Sequence, residues 1–293
     1  SFLPKDIVMR PMLKYRGGKS REIPNIERHI PAFKGRYIEP FFGGGALFFH
    51  LEPEHAIIND INGKLMDFYL DVRNNYEQTR RDLDALEVVY SKNRREFDCL
   101  KAATPQSRVE DRNEDLYYSI RDMFNGKARK EYTDGAIYYF INKTAYSGMI
   151  RYNSNGEFNV PFGRYKNLNT EFVTERHSEL LRHTKIFNAD YQAVFDMAAS
   201  EDFIFLDPPY DCVFSDYGNE EYRDGFNDQS HMALAEAFRC LPCPALLVIG
   251  RTPLTERLYG DMIIDEYAKS YSVNIRNRFK SAATHILVAN YNG

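Results

Sequence analysis

A glycine turn between two short apolar strands is the feature that most restricts the fold of this chain. A strand pattern at Tyr37 to Pro40 runs into three consecutive glycines, Gly43 to Gly45, and the apolar segment Ala46 to Phe49 then favours a helix. A second apolar run, Ala56 to Ile58, ends in Asn59-Asp60. Strand, glycine turn, helix and strand in this order predict a βαβ unit with parallel strands.

The pattern changes after this unit and later returns. From about Lys64 to Tyr146 the chain is mostly helical and polar, and the alternation within Gly148 to Tyr165 favours a β-hairpin. Further strands are expected at Lys185 to Phe187, Phe203 to Leu206, Ala245 to Ile249, Met262 to Tyr267 and His285 to Tyr291. We therefore predict an α/β sheet domain, residues 1–63 and 168–293, interrupted by a helical insertion, residues 64–167, that carries the hairpin.

Composition and charge indicate a globular chain with an uneven surface. Hydrophobic residues make up 43% of the 293 residues and charged residues 27%, and no apolar run is long enough to span a membrane. The net charge is −4, yet Ser1 to Arg36 holds nine basic against three acidic residues and Arg121 to Thr170 eight against four. Such segregation lets an acidic protein present a basic face to phosphate.

The cysteines and the N-terminal residues indicate the cellular compartment of the protein. Four cysteines form no disulfide framework in a chain of this length, and the isolated pair Cys240 and Cys243 is incomplete as a zinc site. The N-terminus lacks the pattern of a signal peptide. We therefore expect free thiols, no metal and a cytoplasmic protein.

Asp207-Pro208-Pro209-Tyr210 ends the apolar run Phe203 to Leu206. Two consecutive prolines donate no backbone hydrogen bonds, so the strand must stop and its carbonyl groups are freed. A carboxylate, free carbonyl groups and an aromatic ring at the mouth of a sheet can hold a flat ring that bears an amino group. An ordinary strand-ending turn is the alternative.

Two acidic residues indicate the kind of ligand that the glycine turn would bind. Asp60, about twenty residues after the first strand, is placed to bind ribose hydroxyl groups. Glu39, at the end of that strand, would repel a pyrophosphate but would suit a cation. S-adenosylmethionine has a ribose, a sulfonium and an ammonium group and no phosphate, so it is favoured over a nicotinamide dinucleotide. For the glycine cluster alone, a purely structural turn is the alternative.

Four separated motifs resemble those of the Dam-type (D12 class) DNA adenine-N6 methyltransferases. They are Lys14-Tyr-Arg-Gly-Gly-Lys19, Tyr37-Ile-Glu-Pro-Phe-Phe-Gly-Gly-Gly-Ala46, Gly156-Glu-Phe-Asn-Val-Pro-Phe-Gly-Arg-Tyr165 and Asp207-Pro-Pro-Tyr210. The resemblance extends from about Lys14 to Tyr291. It implies a Rossmann-like S-adenosylmethionine-dependent methyltransferase fold with an inserted target-recognition domain. It also implies methyl transfer to N6 of an adenine flipped out of duplex DNA.

The resemblance assigns catalytic and cofactor-binding residues. Asp207 and the carbonyl group of Pro208 would accept the two N6 hydrogens, and Tyr210, after Pro209, would stack on the adenine. For Asp190, a helix N-cap is the alternative role. The cofactor-binding residues implied are Tyr15, Lys19, Glu39, Phe41, Gly43, Gly45, Asp60, Asp190 and Tyr191.

The same resemblance assigns DNA contacts, for which a surface position or a general phosphate contact is the alternative. Arg151 would bind a guanine through two hydrogen bonds. Ser147 departs from the family, since relatives that methylate GATC usually carry Asn there, but GATC or a closely related site remains the predicted target. The DNA-binding residues implied are Lys14, Tyr146, Ser147, Met149, Arg151, Asn153, Pro161, Arg164 and Tyr165.

Alternative functions stay open at this point. A related enzyme would methylate cytosine N4, an RNA adenine or a protein amide, and a non-catalytic DNA-binding protein or a nicotinamide oxidoreductase are more distant alternatives. We expect duplex DNA as the partner, no membrane, no obligate protein partner and a bacterial or phage origin, and leave open a cognate restriction endonuclease. The long acidic loop Asp211 to Phe226 is interpreted as a hypothetical lid over the site.

Overall fold

The chain folds into two compact units in a computed structural model, which describes residues 8–15, 17–209, 226–269 and 283–292. The described residues of the helical unit are 8–15, Gly17 and Asn62–Arg182, and the sheet unit holds Gly18–Ile61 and the described residues from His183 onward. The helices are α1 (Ile23–Glu27), α2 (Ala46–Leu51), α3 (Gly63–Asn74), α4 (Tyr76–Ala103), α5 (Arg112–Phe124), α6 (Asp134–Thr144), α7 (Glu175–Arg182), α8 (Tyr191–Phe195), α9 (Asp228–Arg239) and α10 (Pro253–Tyr259). The strands are β1 (Tyr37–Glu39), β2 (Ala56–Asn59), β3 (Thr184–Phe187), β4 (Phe203–Leu206), β5 (Ala245–Gly250), β6 (Ile263–Lys269) and β7 (Ala283–Ala289).

The seven strands form one sheet in the order β3-β2-β1-β4-β5-β7-β6. Strands β3, β2, β1, β4 and β5 are parallel, whereas β7 runs antiparallel to both β5 and β6. Strands β1, β2 and β4 are buried throughout, as is usual for central parallel strands, whose sequences are continuous apolar runs. The predicted α/β sheet is therefore confirmed, including the strand that precedes Asp207.

Register brings the carboxyl ends of β1 and β4 to one edge of the sheet. Ile38 of β1 pairs with both Ile57 of β2 and Ile204 of β4. The segments that follow these strands therefore leave the sheet side by side. In open parallel sheets, ligands bind at this edge. One face of the sheet packs against α8, α9 and α10 in a single apolar cluster.

Capped helices and buried tyrosines build the helical unit. Side chains of Asn62, Asp111 and Thr133 accept backbone hydrogen bonds at the first turns of α3, α5 and α6. The hydroxyl groups of Tyr117 and Tyr139 are buried in this unit and donate to the carbonyl groups of Val160 (2.7 Å) and Asn169 (2.6 Å). These bonds fix the irregular chain that follows α6, where the predicted DNA-binding residues lie.

The boundaries of the two units differ from those predicted for the domains. Residues 168–182, which we expected in the sheet domain, and the described residues 8–17 belong to the helical unit. The physical reason is that α7 packs against α3, and His177 of α7 bonds the carbonyl group of Arg10 at 2.7 Å.

The predicted hairpin forms without regular strands. Within the described segment 146–165, the chain turns back at residues 153–156 and makes two isolated antiparallel bridges, Ala145 with Phe162 and Tyr152 with Phe158. Side-chain bonds from the helices, such as the one from Tyr117 to Val160, take up carbonyl groups that a regular ladder would use.

Within the ranges that the structure describes, none of the helices is both long enough and apolar enough to cross a membrane.

Replacement of Ile204 by alanine should destabilise the sheet unit by about 2–5 kcal/mol, because it leaves a cavity in a fully buried central strand. Urea unfolding followed by circular dichroism measures the change. Val88 of α4 is 69% exposed, so Val88→Ala should stay within about 0.5 kcal/mol of the parent. Equal losses in the two variants would contradict the placement of β4 in the core.

Candidate functional site

The glycine turn after β1 makes a tight backbone loop at the carboxyl edge of the sheet. Gly43 and Gly45 have φ of 51° and 68°, a region that disfavours side chains, and a Cβ on Gly45 would collide with the Phe42 ring. The Gly43 amide donates to Oδ2 of Asp60 at 2.9 Å. The loop and Asp60 therefore lie together, as the sequence pattern predicts.

Asn59, which the sequence analysis missed, ties this loop to the neighbouring strand ends. Its Nδ2 donates to the carbonyl groups of Pro40 (3.1 Å) and Ala189 (2.9 Å), and its Oδ1 accepts from the Ala189 amide (2.9 Å). A buried Asn at the end of an apolar strand was the available signal. The amide side chain fixes the ends of β1, β2 and β3 relative to one another.

Aromatic rings line the loop on one side. The ring centroid of Phe41 lies 5.2 Å from that of Tyr191 and 6.0 Å from that of Phe226. Asp190, directly before α8, accepts the Gln192 amide at 2.9 Å and is the N-cap of that helix. The capping role is thus confirmed, and a contact of Asp190 with a cofactor stays a prediction.

Glu39 is a buried carboxyl group at the end of β1. Its side chain is 3% exposed and accepts a hydrogen bond from the Tyr37 hydroxyl. Burial raises the pKa of Glu39 well above its usual range, against the opposing effect of the Tyr37 bond, and the charges of Asp207 and Asp60 raise it further. This edge of the sheet therefore favours a positive ligand.

Asp207 follows β4 and pairs with Lys19. The Lys19 Nζ lies 3.1 Å from Oδ1 of Asp207, and Lys19 is only 3% exposed. Burial raises the pKa of Asp207, and the Lys19 ammonium opposes this shift. Pro208 is buried after Asp207, whereas Tyr210 and the proposed lid up to Gly225 lie outside the described residues.

Lys14 and Tyr15 belong to the helical unit rather than to the sheet unit that holds Lys19. The side chain of Asn142 accepts the Lys14 amide at 2.9 Å and donates to its carbonyl group at 2.7 Å. The Lys14 Nζ lies 4.3 Å from the ring centroid of Tyr165. Lys14 is thereby held on one surface of the helical unit with a residue of the recognition motif.

The segment after α6 presents an exposed aromatic ring. Tyr146 is 54% exposed, although its amide donates to the carbonyl group of Pro161 at 2.9 Å. Ser147 and Gly148 have φ of 53° and 61°, so the backbone turns sharply directly after this ring. Met149 follows the turn, half-buried.

Arg151 and Asn153 lie on the segment that leads into the turn at residues 153–156. The Arg151 guanidinium is exposed and is oriented by Asn159, whose Oδ1 accepts from Nε at 2.9 Å. Asn153 Oδ1 accepts the amides of Asn155 (2.9 Å) and Glu157 (3.0 Å), which shows that Asn153 shapes the turn. Arg164 lies 3.1 Å from Glu114 in an exposed ion pair.

Comparison with known proteins covers nearly the whole chain. Residues 15–273 match the family model described as D12 class N6 adenine-specific DNA methyltransferase. The "Type II methyltransferase M.CviBI" of Paramecium bursaria Chlorella virus NC1A is 33% identical over 291 residues, 97% of this chain and 100% of that protein. "Type II methyltransferase M.MjaIII" of Methanocaldococcus jannaschii is 32% identical (97% and 99% covered), and the "DNA adenine methylase" of Haemophilus influenzae is 32% identical (89% and 86% covered).

Glu39→Gln should stabilise the protein at pH 7, because a neutral amide removes the cost of a buried carboxylate. The folded-state pKa of Glu39 lies above its unfolded value, so the parent is most stable with this group protonated and loses that stability as pH rises toward the folded pKa. Unfolding in urea at pH 4 and pH 7 measures the difference, which should shrink at pH 4. The exposed Glu54→Gln is the control, and a Glu39→Gln variant no more stable than its parent at pH 7 would refute the sign.

Proposed function

The chain belongs to the family of D12 class N6 adenine-specific DNA methyltransferases, and from this premise we propose that it moves a methyl group from S-adenosylmethionine to adenine N6 in duplex DNA, at GATC or a closely related site. The observation that carries the proposal is the half-buried Asp207 at the end of β4, paired with the buried Lys19, beside the glycine turn after β1 and followed by two prolines.

The residues around the glycine turn fit the chemistry of this cofactor. Glu39 and Asp60 are carboxyl groups, and burial raises the pKa of Glu39, so a bound cation would relieve an unfavourable charge. S-adenosylmethionine supplies an activated methyl group on a positive sulfur. The residues proposed to hold it are Tyr15, Lys19, Glu39, Phe41, Gly43, Gly45, Asp60, Asp190 and Tyr191.

Asp207 and Pro208 together are proposed to hold the adenine amino group. As a carboxylate it accepts one N6 hydrogen, while the carbonyl group of Pro208 accepts the other, which favours a pyramidal nitrogen with an available lone pair. Lys19, at 3.1 Å, favours the ionised carboxylate against the effect of burial. As N6 took the methyl carbon, the carbon–sulfur bond would break and leave a neutral thioether. One N6 proton would then pass through the Asp207 carboxylate to solvent, and no covalent bond to the protein is required. Tyr210, outside the described residues, is proposed to stack on the base.

The target adenine must leave the duplex, which costs on the order of a few kcal/mol. We assign this step and sequence reading to the helical unit as the target-recognition domain. The exposed ring of Tyr146 suits insertion into the base stack at the vacated position. Arg151 has an exposed guanidinium oriented by Asn159, as two hydrogen bonds to guanine require.

The other residues proposed to bind DNA have different roles. Met149 and Pro161 offer apolar contact to a thymine methyl group, and Lys14 is assigned to the guanine before the target adenine. Asn153, Arg164 and Tyr165 support the recognition segment or its phosphate contacts. Ser147 is shorter than the Asn of GATC-methylating relatives, so it reaches less far toward the partner strand.

Plasmid DNA treated with the purified protein and S-adenosylmethionine should become resistant to a nuclease blocked by GATC methylation and sensitive to one that requires it. Sequencing of modified bases in the same DNA identifies the base and its context. N6-methyladenine outside GATC would correct the site, and methylation of cytosine N4 would correct the chemistry. RNA and single-stranded DNA serve as competing substrates.

Asp207→Ala should lower kcat for methylation by about a hundredfold or more, because it removes a hydrogen-bond acceptor used in the transition state. Binding of S-adenosylmethionine, measured by calorimetry because the chain has no tryptophan, should change little. Asp196→Ala, at an exposed position, is the matched control. Substantial turnover by Asp207→Ala would exclude the proposed catalytic role.

A further inference from the structure

A buried ionic network lies behind Lys19 and centres on Glu22. The Glu22 side chain, in a residue 5% exposed, has Oε1 2.6 Å from the Tyr267 hydroxyl and 3.1 Å from Nδ1 of His285. Its Oε2 lies 3.3 Å from Nζ of Lys269 and 3.9 Å from Nζ of Lys19. The β6–β7 pair thus supplies three partners to a carboxylate that also faces the lysine of the catalytic aspartate.

Local backbone geometry places Glu22 and Lys19 on the same side. The Glu22 amide donates to the Lys19 carbonyl group at 2.8 Å, which closes a turn immediately before α1. The Lys19 ammonium then lies between two carboxylates, 3.1 Å from Asp207 and 3.9 Å from Glu22. Packing alone does not explain charged side chains at this buried position, because a buried charge is costly unless it is paired.

We propose that Glu22 is a positioning residue that holds the Lys19 ammonium beside Asp207 and shares its charge between the two carboxylates. The proposal rests on the proposed function, because it concerns how Asp207 receives the adenine amino group. A lysine paired with Asp207 alone would hold that carboxylate more tightly and leave it a weaker acceptor. Glu22 draws part of the positive charge away and fixes the lysine at the same time.

The charge of Glu22 is consistent with a Lys19 ammonium shared between two carboxylates. Burial raises the pKa of Glu22, but the nearby His285 ring, the charge of Lys19, the Tyr267 bond and the charge of Lys269 outweigh it and bring the pKa to about 2. Glu22 is therefore a permanent negative charge at working pH. Its charge raises the pKa of Asp207, after burial and in opposition to Lys19.

The decisive measurement is the pH dependence of kcat for Glu22→Gln and Lys19→Met. Glu22 raises the pKa of Asp207 and Lys19 lowers it. Loss of the Glu22 charge should therefore move the acid limb of the kcat–pH profile to lower pH, and loss of Lys19 should move it to higher pH. Maximal kcat of Glu22→Gln should fall about tenfold or more because Lys19 is less well placed. The pKa of Asp207 is also affected by the charge of Lys269, and the charge of Asp207 in turn affects the pKa values of Glu39, Tyr37 and Tyr267.

Further variants separate positioning from stability. Tyr267→Phe removes one hydrogen bond to Glu22 and keeps the ring, so the fold is retained and kcat should fall by about threefold. Asp265→Asn, on the same strand but paired with Arg28 and His29, should leave kcat and the acid limb unchanged. An unchanged acid limb in Glu22→Gln, or an unchanged kcat in Tyr267→Phe, would overturn the inference while wild-type methylation stands. A wild-type protein that methylates no DNA would instead contradict the proposed function, and the inference with it.

Discussion

The ion pair of Lys19 with Asp207 is the interaction on which the arrangement of the candidate active site depends. Asp207 is placed by β4, which pairs with β1, so a half-buried carboxylate lies beside the glycine turn. Burial alone would favour the protonated acid, which is a poor acceptor for an amino group. The lysine supplies the opposing charge, and the surrounding residues determine how firmly that lysine is held.

Two buried carboxyl groups near this pair affect stability in opposite directions. The pKa of Glu22 is lowered to about 2, so its pairing contributes stability above the usual carboxyl pKa that is lost as pH falls toward 2. The pKa of Glu39 is raised, so its ionisation costs stability as pH rises. A group that destabilises the folded protein is typical of a binding site, and Glu39 is accordingly better explained by a positive ligand than by folding.

The fold could be predicted further than the site. Buried strands such as Phe203 to Leu206 are continuous apolar runs, and the turn at Gly43 has a local signature, so both follow from neighbouring residues. Glu22 and Asn59 were missed because their partners, such as His285 and Ala189, lie far away in the sequence and only the sheet brings them together. The helical unit extends to Arg182, beyond the predicted boundary at residue 167, because the packing of α7 on α3 has no local signal in the sequence.

The segment after α6 holds an exposed arginine, proposed above to read DNA, in one orientation. Arg151 is exposed, yet Asn159 holds its guanidinium at two points, because Oδ1 of Asn159 accepts from Nε at 2.9 Å and its carbonyl group accepts from Nη2 at 3.3 Å. Orientation of the guanidinium before binding reduces the conformational entropy that recognition must overcome. The turn at Ser147, with φ of 53°, similarly fixes where the exposed Tyr146 ring departs from the backbone. Selectivity in this unit would therefore depend as much on the residues that hold the reading side chains as on those side chains themselves.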